Sequence, residues 1–273
     1  MTLTAESLRV TRITRTPRVT RVGPRAAVRQ ALMMAWRGLL TFRHSPQLLY
    51  DALLLPIVGP VLFGAIFGTA IAGSTQNYLP TMIPGVLVQI VLTSAVATGV
   101  SLSEDIRSGV FDRFTAMPIA RSAPVAGALL AGAARYLIAA MTVVIVGYCM
   151  GYRPEHPGAF LAGAALVVFA TTAISWLFAY IGARIAKPAA VQGMSMLVLT
   201  FLGFASNALV PEAAMPRWMR HVSDLNPVSY LVSAVRALAD HGTLGSDAGW
   251  SLLASLVVVA VFAPLTVRAL RSR

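Results

Sequence analysis

The chain has 273 residues, of which 57% are hydrophobic and 12% charged, yet its formal net charge is +12. Its mean hydropathy is +0.73 and its pI about 11.1. A soluble domain of this size has too little interior to hide so much apolar sequence, and the single cysteine, Cys149, excludes an intrachain disulfide, so the positive charge must be explained within an integral membrane protein.

Residues 1–47 are polar and arginine-rich. They lack the apolar run and cleavage site of a secretory signal, so the N-terminus is expected to stay in the cytoplasm. Within residues 1–23, Arg9, Arg12, Arg15, Arg18 and Arg21 recur every third residue. That spacing would align them along one side of a polyproline II chain. No aromatic residue interleaves them to stack on bases, so no nucleic-acid partner is expected. The segment is read as a disordered tail held near anionic lipid, each charge worth about 1 kcal/mol there.

Residues 24–47 read as an amphipathic helix lying in the membrane interface. Val28, Leu32, Ala35, Trp36, Leu39 and Phe42 share one side, with Arg29 and Arg37 on its flank or back. His44-Ser45-Pro46 breaks it from the first long apolar segment.

Six segments are long and apolar enough to cross a bilayer, at about 48–72, 83–102, 125–150, 160–181, 189–210 and 250–267. They are continuous runs without strand-type alternation, so helices are predicted rather than a barrel. With the N-terminus inside, the inner segments hold nine, three, two and three positive residues, while the outer ones hold only Arg153, Arg217, Arg220 and Arg236. This asymmetry places both termini in the cytoplasm.

In the first span, Gly64 and Gly68 form a small-residue ridge that suits either a dimer contact or packing within the chain. Arg135 is the one unambiguous charge inside a span, and such a charge is a functional candidate by default. Its place in the third segment favours snorkelling to the cytoplasmic interface, and a pair with Asp51 is a further expectation.

The connection after the second span is predicted to carry a helix over 103–117. Ile106, Val110, Phe114 and Met117 form its apolar face, and Pro118 ends it. Its outer face mixes Glu104, Asp105, Arg107, Asp112 and Arg113. Alternating acids and bases fit a groove in a protein partner better than a lipid surface, with a solvated linker as the plain alternative. Residues 211–247 read as two short amphipathic helices joined at Asn226-Pro227, either set into the outer membrane region or packed as an extracellular cap.

The order of these features resembles the ABC-2 type permease family. Glu104, Gly109, Arg113 and Pro118 just after the second span are similar to its acidic–glycine–basic–proline pattern. Asn226-Pro227-Val228-Ser229-Tyr230 followed by Arg236 is similar to its segment before the last span. Within the family the chain looks most like daunorubicin-resistance-type drug and lipid exporters. The resemblance implies an all-α membrane fold of six spans, like type V exporters, over 48–273. It implies an N-terminal connecting helix, a coupling helix at 103–117 and an outer re-entrant hairpin at 211–247.

It also implies partners: two copies of a cytosolic ABC ATPase, a second permease copy or paralogue, membrane lipids and an amphiphilic cargo such as a drug, lipid or glycolipid. ATP and Mg would sit on the ATPase. The chain itself has no phosphate-binding loop, since its only lysine, Lys187, precedes Pro188. His44, His156, His221 and His241 are scattered without metal-ligand spacing. The chain is therefore expected to hold no catalytic, cofactor or metal site of its own, and to lie in a bacterial plasma membrane. Rival readings are an ion-gradient carrier and a membrane scaffold or sensor.

Overall fold

Helices carry every apolar stretch that the hydropathy selects. The computed structural model describes residues 33, 46–109, 123–208 and 215–271, without side chains at 46–52, 71, 123–126 and 271. In chain order the helices are α1 Pro46–Ala72, α2 Thr75–Arg107, α3 Ala123–Cys149, α4 Pro157–Arg184, α5 Pro188–Phe204, α6 Arg217–Asp224, α7 Pro227–His241 and α8 Ser246–Arg271. The tail 1–23, nearly all of the amphipathic segment 24–47, and residues 110–122 lie outside the described residues.

Among the described residues, α1, α2, α3, α4 and α8 are long and apolar enough to cross a membrane. The segment predicted at 189–210 is the shorter helix α5, of 17 residues, which stops at Phe204. Ser206 closes it by donating its hydroxyl to the Gly203 carbonyl at 2.7 Å. Helix α2 is instead longer than expected and starts at Thr75, well before residue 83. Gly73 turns the chain with φ 72°, a left-handed conformation that glycine adopts without Cβ strain. Ser74 then caps the new helix by accepting the Asn77 N–H at 3.2 Å. Polar Gln76 and Asn77 and the prolines Pro80 and Pro84 conceal this first part of α2 from a hydropathy reading.

α2 is the axis of the bundle and packs against α1, α3, α4, α5 and α7. Two-thirds of its apolar window (67%) is buried, against 28% for α1 and 17% for α8. Its Tyr78, Met82, Ile83, Leu87 and Val91 join Tyr136 and Val143 of α3, Phe160 and Val167 of α4, and Leu231 and Val235 of α7 in one continuous core. Lipid tails are as apolar as these side chains, so close packing rather than transfer from water holds such helices together. The crossing of α2 and α4 shows how close. A Cβ on Gly99 would overlap the Phe178 carbonyl, and one on Gly182 would overlap the carbonyl of Gly99.

The bundle has two ends. One carries Arg107, Arg184, Lys187 and Arg268 and is termed the basic end; α6 and α7 pack toward the other, the hairpin end. The Gly64–Gly68 ridge of α1 meets the start of α2 in the same chain. Thr75 donates its hydroxyl to the Gly64 carbonyl at 3.3 Å, and a Cβ on Gly68 would sit 2.6 Å from the Thr75 Cα. Nearer the basic end α1 packs little. Leu53, Leu54, Leu55, Ile57 and Val58, on one broad side, are all exposed, while Pro56, Gly59 and Pro60 on the other side are buried. On α2 the face that follows Ile90 toward that end, Ser94, Ala97 and Ser101, is half-exposed.

Candidate functional site

The hairpin end contains a built polar site where α5 breaks. A helix that stops inside an apolar bundle leaves carbonyls without partners, and buried irregular backbone must have them supplied by protein or water. Two side chains of α7 and its cap supply them. Asn226 donates its amide to the Leu202 carbonyl at 2.7 Å, while its side-chain oxygen accepts the Val228 N–H at 2.9 Å. The same residue therefore caps α7 and holds the last turn of α5, and Pro227, which lacks an N–H, fits the first helical position.

Arg236 does more. Its Nη2 donates to the carbonyls of Thr81 at 2.9 Å, Asn207 at 2.9 Å and Ala208 at 3.1 Å, and its Nε donates to Thr81 at 3.3 Å. One guanidinium thus joins α2, the frayed end of α5, and α7. Gly85 of α2 makes room for this arrangement, because any Cβ there would overlap the Ala208 carbonyl. Asn207 donates to the Ser233 hydroxyl at 2.9 Å.

The turn between α6 and α7 is tied by Ser223 and Ser229, whose hydroxyls lie 2.8 Å apart, and by Tyr230, which donates to the Asp224 carbonyl at 2.6 Å. Pro227 shares a small apolar recess with Ala170 and Ile174. Those residues lie about 20 Å or more along α4 from Pro157, at 1.5 Å per residue. The other end of α7 meets the start of α4, where the His156 N–H donates to the Ala239 carbonyl at 3.1 Å. So α7 spans from the middle of α4 to its beginning.

Beside this fork lies a second polar group that sequence reading misses. Tyr152 is 2% exposed, and its hydroxyl has no hydrogen-bond partner among the described residues. Burial, and then the charge of Asp240, push its pKa well above the usual tyrosine value. Asp240 is itself raised, by burial first and by Glu155, with His241 and Arg236 opposing. A raised carboxyl keeps its proton longer in the folded protein than in the unfolded one. Stability therefore falls as pH rises from the unfolded pKa through the folded one. Asp240→Asn should raise the melting temperature at neutral pH in detergent, with the gain over wild type shrinking as pH approaches about 4. A gain that is the same at both pH values would contradict this account.

At the basic end, only residues 103–109 of the helix predicted over 103–117 lie within the described residues. Residues 103–107 are the last turns of α2, and the helix stops at Ser108 and Gly109. The Ser108 N–H donates to the Glu104 carbonyl at 2.9 Å and the Gly109 N–H to Ile106 at 3.2 Å. Gly109 has φ 67°, which an unbroken α-helix cannot carry through. Ser101 donates to the Ala97 carbonyl at 2.7 Å, as a residue inside a helix does. Glu104 and Arg107 are exposed and Asp105 half-exposed. Ser103 ties this end to the α4–α5 turn by donating to the Ile185 carbonyl at 3.0 Å. Asp112, Arg113, Phe114 and Pro118 lie outside the described residues.

Arg135, half-exposed, donates from Nη2 to the Thr98 hydroxyl at 3.0 Å, and that hydroxyl lies 2.6 Å from the Tyr136 hydroxyl. Thr98 thus holds one arm of the guanidinium against α2. The Asp51 side chain is outside the described ones.

An arginine-bearing hairpin that mends a broken helix, opposite an acidic–basic helix end that stops at a glycine, can be compared with known proteins. The sequence pattern that defines the ABC-2 type transporter family matches residues 29–239. The chain belongs to that family. It is 43% identical over 249 residues to the daunorubicin resistance ABC transporter permease protein DrrB1 of Streptomyces coeruleorubidus, covering 90% of this chain and 88% of that one. It is 26% identical over 242 residues to the doxorubicin resistance ABC transporter permease protein DrrB of Mycobacterium tuberculosis, covering 84% and 83%. A putative transport permease, ycf38, of Porphyra purpurea is 24% identical over 241 residues, covering 86% and 78%. The ABC-2 match spans both α2 and the hairpin, so the two polar ends belong to one shared architecture.

Proposed function

We propose that the chain is the permease subunit of an ABC exporter that moves an amphiphilic drug, lipid or glycolipid out of the cytoplasm or inner leaflet. The observation that carries this is α2. One unbroken helix of 33 residues bears Glu104, Asp105 and Arg107 at its basic end and Thr81, under the Arg236 fork, near its other end. A rod of that length, about 50 Å, suits passing motion from one face of a membrane to the other.

In this reading the basic end faces the cytoplasm, in accord with the charge asymmetry. Six spans cross the membrane, α5 being a shortened one. The α6–α7 hairpin re-enters from the outer side, which the level of Pro227 beside Ile174 supports. Two ATPase copies bind the basic end of a pair of permeases, identical or paralogous, and hold the ATP and Mg. The coupling contact comprises Glu104, Asp105, Arg107 and Gly109, with Asp112, Arg113, Phe114 and Pro118 continuing it. An inner-end contact between Asp51 and Arg135 belongs to the same reading, as does a role for residues 24–47 as the connecting helix.

The decisive experiment is reconstitution of the chain in liposomes with and without its ATPase, following a fluorescent amphiphile. Uptake into inside-out vesicles should require both the ATPase and ATP. Transport by the permease alone, driven by an ion gradient, would defeat the reading. Within this assembly, Glu104→Ala should lower cargo-stimulated ATPase activity about tenfold or more while the protein still inserts and melts normally. Glu104 is exposed, so its loss removes a contact rather than a fold. Unchanged stimulation would remove it from the coupling surface.

A further inference from the structure

We propose that the groove between α4, α7 and α8 is a binding site for an acyl chain of a phospholipid in the leaflet on the hairpin side. The groove has a volume of about 580 Å³. Ala159, Ala162, Ala165 and Phe169 of α4 line one side, and Leu238 of α7 and Leu252 of α8 line the others. These side chains are all apolar, so water finds no partners among them. In hydrocarbon an unfilled slot forfeits contacts on its walls, and a chain that fills it is held by packing.

Its dimensions select the occupant. From Ala159 to Phe169 the groove runs about 15 Å along α4, and one leaflet holds about 15 Å of hydrocarbon. The volume spread over that length gives a mean cross-section of about 40 Å². A helix, about 10 Å across, needs roughly 80 Å², so a helix of a second copy does not fit. A polymethylene chain needs a slot only about 4 Å wide, the contact distance between carbon atoms. At the hairpin end the chain passes out of the described residues only between Ala208 and Met215. Ala208 lies under Arg236, two residues from Leu238 and so on the opposite side of α7. The mouth is polar: Gly242 lines it, with the exposed His156 ring against it, and Ala248 follows Asp247 in the first turn of α8. With an imidazole and an acid at the rim, the site is expected to select by chain rather than by headgroup charge.

Binding requires only that the bundle spans a membrane, not that an ATPase drives it, so the test uses the full chain alone. The protein is placed in phosphatidylcholine or phosphatidylglycerol liposomes that carry trace phospholipid with a diazirine at the chain terminus or beside the carbonyl. The terminal probe should label α4 around Leu166–Phe169 severalfold above α3 around Ile145. Ile145 is a fair reference for bulk lipid, being 57% exposed against 50% for Phe169. The carbonyl probe should shift labelling toward Ala159, Ala162 and Leu244, and both headgroups should give the same pattern. Ala165→Phe, which fills the slot from an exposed position, should cut the α4 labelling to the reference level, while Ile145→Phe should leave it unchanged. In detergent, native mass spectrometry should find one phospholipid that wild type keeps through delipidation and Ala165→Phe loses.

Labelling of α4 no stronger than at Ile145, or unchanged by Ala165→Phe, means ordinary solvation by the bilayer and overturns the proposal. An α4 shielded from both probes means that protein covers the groove, a second copy included, and overturns it equally. Should Ala165→Phe not accumulate, the two probes on wild type decide: labelling that does not move along α4 with the position of the diazirine overturns the site.

Discussion

Arg236→Ala is expected to destabilise the protein by about 3 kcal/mol or more and to bring cargo export to background. Leaving one buried acceptor without a donor costs about 1–3 kcal/mol, and this change takes the donor from the carbonyls of Asn207 and Ala208, beyond the end of α5, and unties both from Thr81 of α2. The Asn207 amide cannot replace the fork, because it is already engaged with Ser233. Arg236→Lys should recover only part of the loss, since an ammonium cannot reproduce a planar fork that reaches two chain segments at once. The measurement is thermal unfolding in detergent alongside export in vesicles. A melting temperature for Arg236→Ala within a degree or two of wild type would show that water fills the carbonyls as well as the side chain does.

The second large effect belongs to Gly182. Gly182→Ala adds one methyl group, yet that methyl must occupy the place of the Gly99 carbonyl. The obstacle is backbone on a helix packed against five others, so it cannot swing aside as a side-chain tip would. The α2–α4 crossing must open, at a cost of about 1–3 kcal/mol. Gly249→Ala in α8 is the control. It meets nothing within 4 Å, and replacing a helical glycine should leave stability unchanged or raise it by up to about 1 kcal/mol. Equal melting temperatures for the two variants would mean that α2 and α4 are not so tightly crossed in the bilayer.

Much of this architecture is legible in the sequence where hydropathy is uninterrupted. Helix α1 covers Pro46–Ala72 and α3 Ala123–Cys149, each within a few residues of the apolar runs at 48–72 and 125–150. Hydropathy fails where a helix is stabilised by something other than apolar composition. The start of α2 depends on the Ser74 cap and on burial of Tyr78 and Leu79 within the bundle, so its polar and proline residues mislead. The end of α5 is the opposite error. Residues 205–210 are apolar enough to continue a span, but Ser206 turns back on Gly203 and the hairpin carries the freed carbonyls.

The periodicity of Ile106 and Val110 marks an apolar face without showing that Gly109 takes a left-handed conformation between them. Asn226 and Arg236 stand out by resemblance, but what they touch does not, because the acceptors are main-chain carbonyls and carry no residue signature. Thr98 and Tyr152 escape notice for a related reason. A lone hydroxyl in an apolar run reads as packing until its neighbour across the bundle is known.

The Arg236 fork also bears on how the protein is made. Its acceptor on α2, the Thr81 carbonyl, precedes it by 155 residues. At a synthesis rate of about 5–20 residues per second, the carbonyl waits about 8–30 s for its donor. Once α5 has emerged, the carbonyls of Asn207 and Ala208, beyond its last turn, wait for the same donor. Lateral release of α5 into lipid before then would expose them to hydrocarbon. The end of α5 therefore needs a wet or protein-lined vestibule until α7 has emerged, which makes α7 a checkpoint for the integration of the helices before it.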